Sequence, residues 1–235
     1  MNKKLIYIPQ DNVDIALKSI TSAIFYFFIL GIILVGFFLS THVYYNVKGT
    51  SMEPNILQET ITYNGDACYV ARNIPYSYGD IIVAEKNNNQ DVVKRIIAIG
   101  GDKIGYYFNI EKGYYELLLI KENSTPKILK ESYLFEKVDK EEKRIMLENN
   151  SYSYHNFINL QGLEDFEYNN QNIKVLTVPE NHLFLLGDNR KTSIDSASYG
   201  TLSQKNVIGK VVLITQQGTL PVWDILAYIL GSIFK

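Results

Sequence analysis

VVKRIIAI, residues Val92–Ile99, decides the class of fold. It is short, rich in β-branched residues and closed by Gly100 and Gly101, which reads as a strand rather than a helix. A strand's period of two sets Val92, Lys94, Ile96 and Ala98 on one face and Val93, Arg95, Ile97 and Ile99 on the other. Lys94 thus emerges among apolar neighbours. On this strand alone two readings stand open. Lys94 is either a solvated edge lysine that discourages strand-to-strand aggregation, or an amine whose pKa is lowered by desolvation.

Working outward, similar short stretches recur with Gly, Pro or Asn between them: Ile61–Tyr63, Asp66–Ala71, Asp80–Glu85, His182–Leu186 and Val207–Ile214. Together they predict a mostly β domain. The middle, residues 103–178, is dense in Tyr, Asn, Glu and Lys and carries the charge run KVDKEEKR, Lys137–Arg144. It reads as a separate polar lobe inserted between two halves of the core, residues 43–102 and 179–216.

On the N-terminal side, ITSAIFYFFILGIILVGFFLS, Ile20–Ser40, is free of charge. As a helix it spans roughly 31 Å, the thickness of a bilayer core, and it continues into THVYYNV without a cleavage-site pattern. An uncleaved anchor over residues 20–42 is expected, preceded by a tail over residues 1–19. Lys3, Lys4 and Lys18 precede the run and no cation follows it until Lys48, so the tail is expected in the cytoplasm and the rest of the chain outside. Residues 217–235 form a second apolar stretch, too short for an easy span and interrupted by Asp224. An interfacial helix, with Trp223 and Tyr228 at headgroup level, or a short second span are the two readings.

With 235 residues, 46% of them hydrophobic, the chain has material for a core. Its net charge of -2 lacks the basic bias of a nucleic-acid binder, so no nucleic acid is expected. Three histidines and the single Cys68 are scattered without ligand spacing, so neither metal nor cofactor is predicted, and Cys68 reads as a buried thiol.

The chemistry gathers at GTSMEP, Gly49–Pro54, just past the apolar run. A reactive Ser51 needs a base. His42 abuts the membrane and His155 lies in the polar insertion, which leaves His182 as the one histidine candidate, although it reads better as a strand-start residue after Pro179. A neutral lysine is the other route, because an amine desolvated below its ordinary pKa of about 10.4 can take a serine proton. A third piece, GDNRKTSIDSASYG (Gly187–Gly200), makes a tight turn after a strand and brings Ser193, Asp195 and Ser196 close in sequence. A hydroxyl there can orient a lysine amine, although the stretch also reads as a plain polar loop.

Taken in order, the anchor, G49-T-S-M-E-P54, Y78-G-D-I-I-V83, V93-K-R-I-I-A-I-G-G-D102 and P179-E-N-H-L-F-L-L-G-D-N-R-K-T-S-I-D-S196 resemble the bacterial type I signal peptidases. The resemblance implies a signal-peptidase-like antiparallel β ectodomain and a membrane-anchored serine endopeptidase that cleaves signal peptides from exported precursors. It implies Ser51 as nucleophile, Lys94 as general base, Ser193 as the serine that positions the amine, and Asp195 as the acidic member of the last box. The oxyanion would be held by the Ser51 backbone N–H, because Gly49 stands where some relatives carry a hydroxyl. Substrate would add as a strand near Tyr45–Gly49 and Asp91–Val93, with small pockets lined by Val47, Met52 and Val93.

Three departures from the family pattern stand out. Pro54 is followed by Asn55 rather than threonine, with little change expected. Val92-Val93 replaces a common aromatic, implying a wider or shallower pocket. Ala197 replaces an arginine, so Asp195 is left to Arg190, to Arg95 or to no partner. The expected partners are exported precursors, pilins possible among them, and membrane lipid, with the protein itself a monomer. The alternative is a pilus-assembly accessory that holds pilin subunits in the same cleft. The self-cleaving repressors share a Ser-Lys dyad but are soluble, which the anchor opposes.

Overall fold

Apolar length and β-branching partition this chain into one long helix and two antiparallel sheets. The computed structural model describes residues 10–86, 90–135 and 140–233. Lys3, Lys4, the rest of the first nine tail residues, and Lys137–Asp139 of the charge run lie outside them. The chain divides into two units, Met1–His42 with Leu220–Lys235, and Val43–Thr219.

In the first unit, α1 (Gln10–Thr41) is a single helix of 32 residues, about 48 Å long. It begins well before Ile20, so part of the expected tail is helical. Asp14 near its start favours the helix dipole, and Ala16, Leu17 and Lys18 are good helix formers. Val13–Thr41, with mean hydropathy 2.6, is long and apolar enough to cross a membrane. The C-terminal helix (Val222–Ile233) has 12 residues, about 18 Å, and starts just after Pro221 with Asp224 in its first turn. It packs on α1, where the Tyr228 ring meets Phe38 edge-on at 5.7 Å; Ile225 is buried, whereas Trp223 is exposed.

In the second unit the first four strands are β1 (His42–Asn46), β2 (Asp66–Ala71), β3 (Ile81–Lys86) and β4 (Gln90–Ile99). The inserted segment supplies β5 (Lys103–Asn109), β6 (Tyr114–Ile120), β7 (Lys127–Ile128), the helices α2 (Lys140–Glu148) and α3 (Asn150–Phe157), then β8 (Leu163–Tyr168) and β9 (Gln171–Thr177). The chain returns through β10 (His182–Leu186), the short α4 (Ser196–Tyr199), β11 (Leu202–Ser203) and β12 (Val207–Gln216), and ends in α5, the C-terminal helix already described. One sheet runs β1-β2-β12-β3-β4-β10-β11 and the other β7-β6-β5-β9-β8.

The inserted segment is less separate than its polar composition suggests. Ile104 and Tyr106 of β5, Leu117 and Leu119 of β6, and Phe157 of α3 share one buried cluster with Ile97 and Ala98 of β4, Phe184 and Leu186 of β10, and Ala197. Leu118, Ile173 and Val175 of its strands form a second buried cluster, with Tyr107, Phe166 and Tyr168 packed against it. Two local expectations fail. Ile61–Tyr63 is a bend, not a strand: Thr60 and Tyr63 close a turn on each other and the Ile61 side chain is fully exposed. The two-face reading of β4 breaks after Ile96, because Leu185 pairs with Ile96 and Phe184 with Ala98, which leaves Ile97 as a bulge. Ile96 therefore packs with Ile82 and Leu183, while Ala98 turns to the side of Ile97.

Candidate active site

Three chain segments far apart in sequence converge here. The first is the turn after Gly49. Gly49 itself sits at φ +97°, in the left-handed region where a side chain is strained, and the turn closes through Glu53 N–H donating to Thr50 O and Ile56 N–H to Met52 O. Val47, Met52 and Ile56 bury against Cys68, Val70 and Val83 and anchor the turn from below. Ser51 is left half-buried at its crest.

The second segment is the middle of β4. Lys94 pairs with Ile82 of β3 and is only 4% exposed. Its Nζ lies 2.7 Å from Ser51 Oγ and 3.1 Å from the carbonyl of Val93. Burial draws the amine down from its ordinary value to about 8; Asp195 opposes the shift and Lys86 reinforces it.

The third segment is Gly187–Ala197. The Asn189 N–H donates to Ser51 O at 3.0 Å, which ties the last box to the serine turn. Gly187 is packed so closely that a Cβ there would lie 2.2 Å from Ser193 Oγ and 2.4 Å from Ser51 O, so only glycine fits. Asp195 caps α4 through Ala197 N–H and accepts from Gly187 N–H at 2.9 Å. Burial pushes its carboxyl up, and Ser193, Gly187 N–H, Arg190 and Lys94 act in the opposite direction. Ser193 Oγ is buried beside this carboxylate and makes no well-formed hydrogen bond to any described residue, Lys94 included.

Neither arginine proposed as a partner of Asp195 bonds it. Arg95 forms a two-pronged pair with Asp188, Nε to Oδ1 at 2.8 Å and Nη2 to Oδ2 at 2.6 Å, donates to Gly79 O, and stacks on the Tyr133 ring at 4.1 Å. Arg190 turns to Glu131 and Asn150 in the inserted segment. Asn55 Nδ2 donates to Asp188 Oδ2 at 2.8 Å and to Tyr133 O at 3.0 Å. Asp188, Glu131, Tyr133 and Asn150 were not singled out from sequence; for Asp188 its place between Gly187 and Asn189 was the one available signal.

A groove of about 490 Å³ opens over the pair, lined by Tyr45–Met52, Gln90–Lys94, Thr192 and Ile194 among others. β4 pairs with β3 over Gln90–Arg95 but with β10 only over Arg95–Ile99. Among the described residues, the second edge of Gln90–Val93 therefore has no strand beside it. The Ser51 backbone N–H also has no partner among the described residues. His182 bonds its own loop at Glu180 O, and burial holds the Cys68 thiol up at about 12, so neither serves Ser51. The described residues contain no group of three or more His, Cys, Asp or Glu able to hold a metal ion.

Residues 17–216 match the family described as signal peptidase, peptidase S26. Signal peptidase I of Streptococcus pneumoniae serotype 4 is 30% identical over 178 residues, covering 70% of this chain and 77% of that protein. Signal peptidase IB of Staphylococcus aureus is 27% identical over 184 residues, 76% of this chain and 78% of that one. A crystal structure of a signal peptidase I from Enterococcus faecalis V583 aligns with 27% identity and a TM-score of 0.35, covering 59% of this chain and 97% of that one.

Proposed function

The chain belongs to the peptidase S26 signal peptidase family, and from that premise we propose that it cleaves exported precursors with a Ser51–Lys94 dyad while anchored by α1. The observation that carries this reading is the 2.7 Å contact between Ser51 Oγ and a buried Lys94 amine whose pKa is drawn down to about 8. An amine near that value is partly neutral at physiological pH and has a lone pair to accept a proton.

In this mechanism an extended precursor segment lies along the open edge at Gln90–Val93 and against Tyr45–Gly49, adding a strand through main-chain bonds. Alternate side chains point toward Val47, Met52 and Val93, a floor that suits small residues. Lys94 Nζ takes the hydroxyl proton as Ser51 Oγ attacks the scissile carbonyl carbon, and the carbonyl π electrons move onto oxygen. The unpartnered Ser51 N–H donates to that oxyanion. The oxyanion collapses, the C–N bond breaks, and the Lys94 ammonium returns its proton to the leaving amine of the mature protein. Water then gives a proton to neutral Lys94 as it attacks the ester, the bond to Ser51 Oγ breaks, Lys94 passes that proton to the departing Ser51 Oγ, and the released signal peptide acid ionises to its carboxylate. Ser193 contributes by packing on Gly187 beside Asp195, whose carboxylate faces the amine electrostatically.

The anchor is α1 spanning the bilayer once, with the N-terminus in the cytoplasm and the catalytic unit outside, so that membrane-tethered precursors meet a raised local enzyme concentration. An accessory that only held pilin subunits would have no use for a desolvated lysine on a serine, and that reading is not favoured.

The test uses the full chain in detergent micelles with a precursor carrying small residues at its cleavage site. Ser51→Ala and Lys94→Ala each abolish cleavage, the double variant is no worse than either, and circular dichroism is unchanged. Cleavage surviving in either single variant contradicts the dyad.

A further inference from the structure

Arg190 is a buried cation that the dyad does not use, and its surroundings come from the inserted segment. Its Nε donates to Gly187 O at 2.9 Å, Nη1 to Asn150 Oδ1 at 2.6 Å, and Nη2 to Glu131 Oε1. Glu131 Oε1 also accepts from Tyr133 OH at 2.8 Å, while Asn150 Nδ2 donates to Tyr115 O at 2.9 Å. Arg190, Glu131 and Asn150 are all buried. Burial alone would push the guanidinium pKa down, but Glu131, backed by Tyr133, more than reverses this.

The far end of this network is the wall of the active site. Both peptide groups that flank the Gly187 Cα are held, the carbonyl by Arg190 and the N–H by Asp195. A Cβ on Gly187 would meet Ser193 Oγ at 2.2 Å and Ser51 O at 2.4 Å, so there is no room there for even a methyl group. Gly187 is therefore packed directly against the serine turn. The Tyr133 ring lies over Arg95, whose pair with Asp188 fixes the next residue of the same loop.

We infer that Glu131 and Asn150 are positioning residues for the peptidase reaction: through Arg190 they fix the Gly187 peptide and so the alignment of Ser51 with Lys94. The inference rests on the dyad reading above. It gives the inserted segment a part in catalysis, in that a carboxylate 80 positions after the serine in sequence sets the serine's place. The number follows from their positions, 131 and 51. Neither residue touches substrate or the reacting atoms.

The test measures kcat and KM of the full chain in detergent, well below each variant's melting temperature. Glu131→Gln keeps the shape but leaves the cation unpaired; its kcat is expected to fall about 10²-fold with KM little changed, as for a misplaced reacting atom. Asn150→Ala keeps the ion pair but removes the acceptor of Arg190 Nη1 together with the Nδ2 donor to Tyr115 O and Glu131 Oε2, for a loss of about tenfold, on the order of the rate equivalent of one charge-assisted hydrogen bond. Arg190→Lys cannot span three acceptors and falls as far as Glu131→Gln, while Glu131→Gln combined with Arg190→Lys falls no further than Arg190→Lys alone. Folded Glu131→Gln and Asn150→Ala proteins with wild-type kcat, alongside an inactive Ser51→Ala, overturn the inference and leave the dyad reading standing. If Glu131→Gln does not fold, folded Asn150→Ala decides by the same criterion. Cleavage by Ser51→Ala overturns the dyad reading, and this inference with it.

Discussion

Replacing Lys94 with methionine is expected to abolish turnover and yet stabilise the fold at neutral pH. The amine is buried with a pKa of about 8 against an ordinary 10.5. That lowering corresponds to about 3 kcal/mol of cost for holding the ammonium in the folded state. Below pH 8 folded and unfolded chains both carry the proton, and the whole cost is present. Between pH 8 and 10.5 the folded chain has released a proton that the unfolded chain still binds, so wild-type stability rises with pH. Above 10.5 the cost is gone. Methionine has a similar length and no charge, but it forfeits the bonds to Ser51 Oγ and Val93 O, together about 1–2 kcal/mol. The net gain near pH 6.5 is then about 1–2 kcal/mol, or a rise in Tm of about 2–8 °C for a chain of this size. Thermal melts of wild type and Lys94→Met at pH 6.5 and pH 10 read it directly. The advantage of the variant should shrink or reverse at the higher pH. A variant less stable than wild type at pH 6.5, or a difference that does not depend on pH, would refute the reasoning.

Two further substitutions probe the scaffold. Gly187→Ala puts a methyl group 2.2 Å from Ser193 Oγ and 2.4 Å from Ser51 O; it should cost about 1–3 kcal/mol by overpacking and remove detectable cleavage, checked by melts and turnover together. Asp188→Asn leaves the Arg95 guanidinium buried without its carboxylate and should cost about 3–5 kcal/mol, lowering Tm by roughly 10 °C. The exposed Lys103–Glu164 pair is the contrast: Lys103→Gln should move Tm by no more than about 2 °C.

What the sequence made legible was local. β2 and β10 lie at the bounds that β-branching and turn residues predict, and the apolar run reads as a long helix because lipid-compatible length is written in composition alone. The four boxes picked out Ser51 and Lys94, 43 positions apart, and the two side chains stand at hydrogen-bond distance. Partners set by tertiary packing were not legible. Arg95 finds Asp188 across 93 positions and Arg190 finds Glu131 across 59, and no periodicity links either pair. Ile61–Tyr63 has strand composition but bends, because a hydroxyl-closed turn at Thr60 and a Tyr63–Asp66 bond outweigh propensity in three residues. The inserted segment read as a separate polar lobe because Tyr, Glu and Asn count as polar, yet its Ile104, Tyr106, Leu117 and Leu119 share one buried cluster with β4 and β10.

The most direct measurement of the central claim is the pH dependence of kcat/KM for precursor cleavage, which reports the ionisation of the free enzyme's base. With Lys94 neutral as the active form, the rate should climb about tenfold per pH unit below 7, pass its midpoint near 8 and level off above 9. A profile that is flat or falling from pH 6 to 9, or one that still climbs toward the pKa of an ordinary lysine, would contradict it.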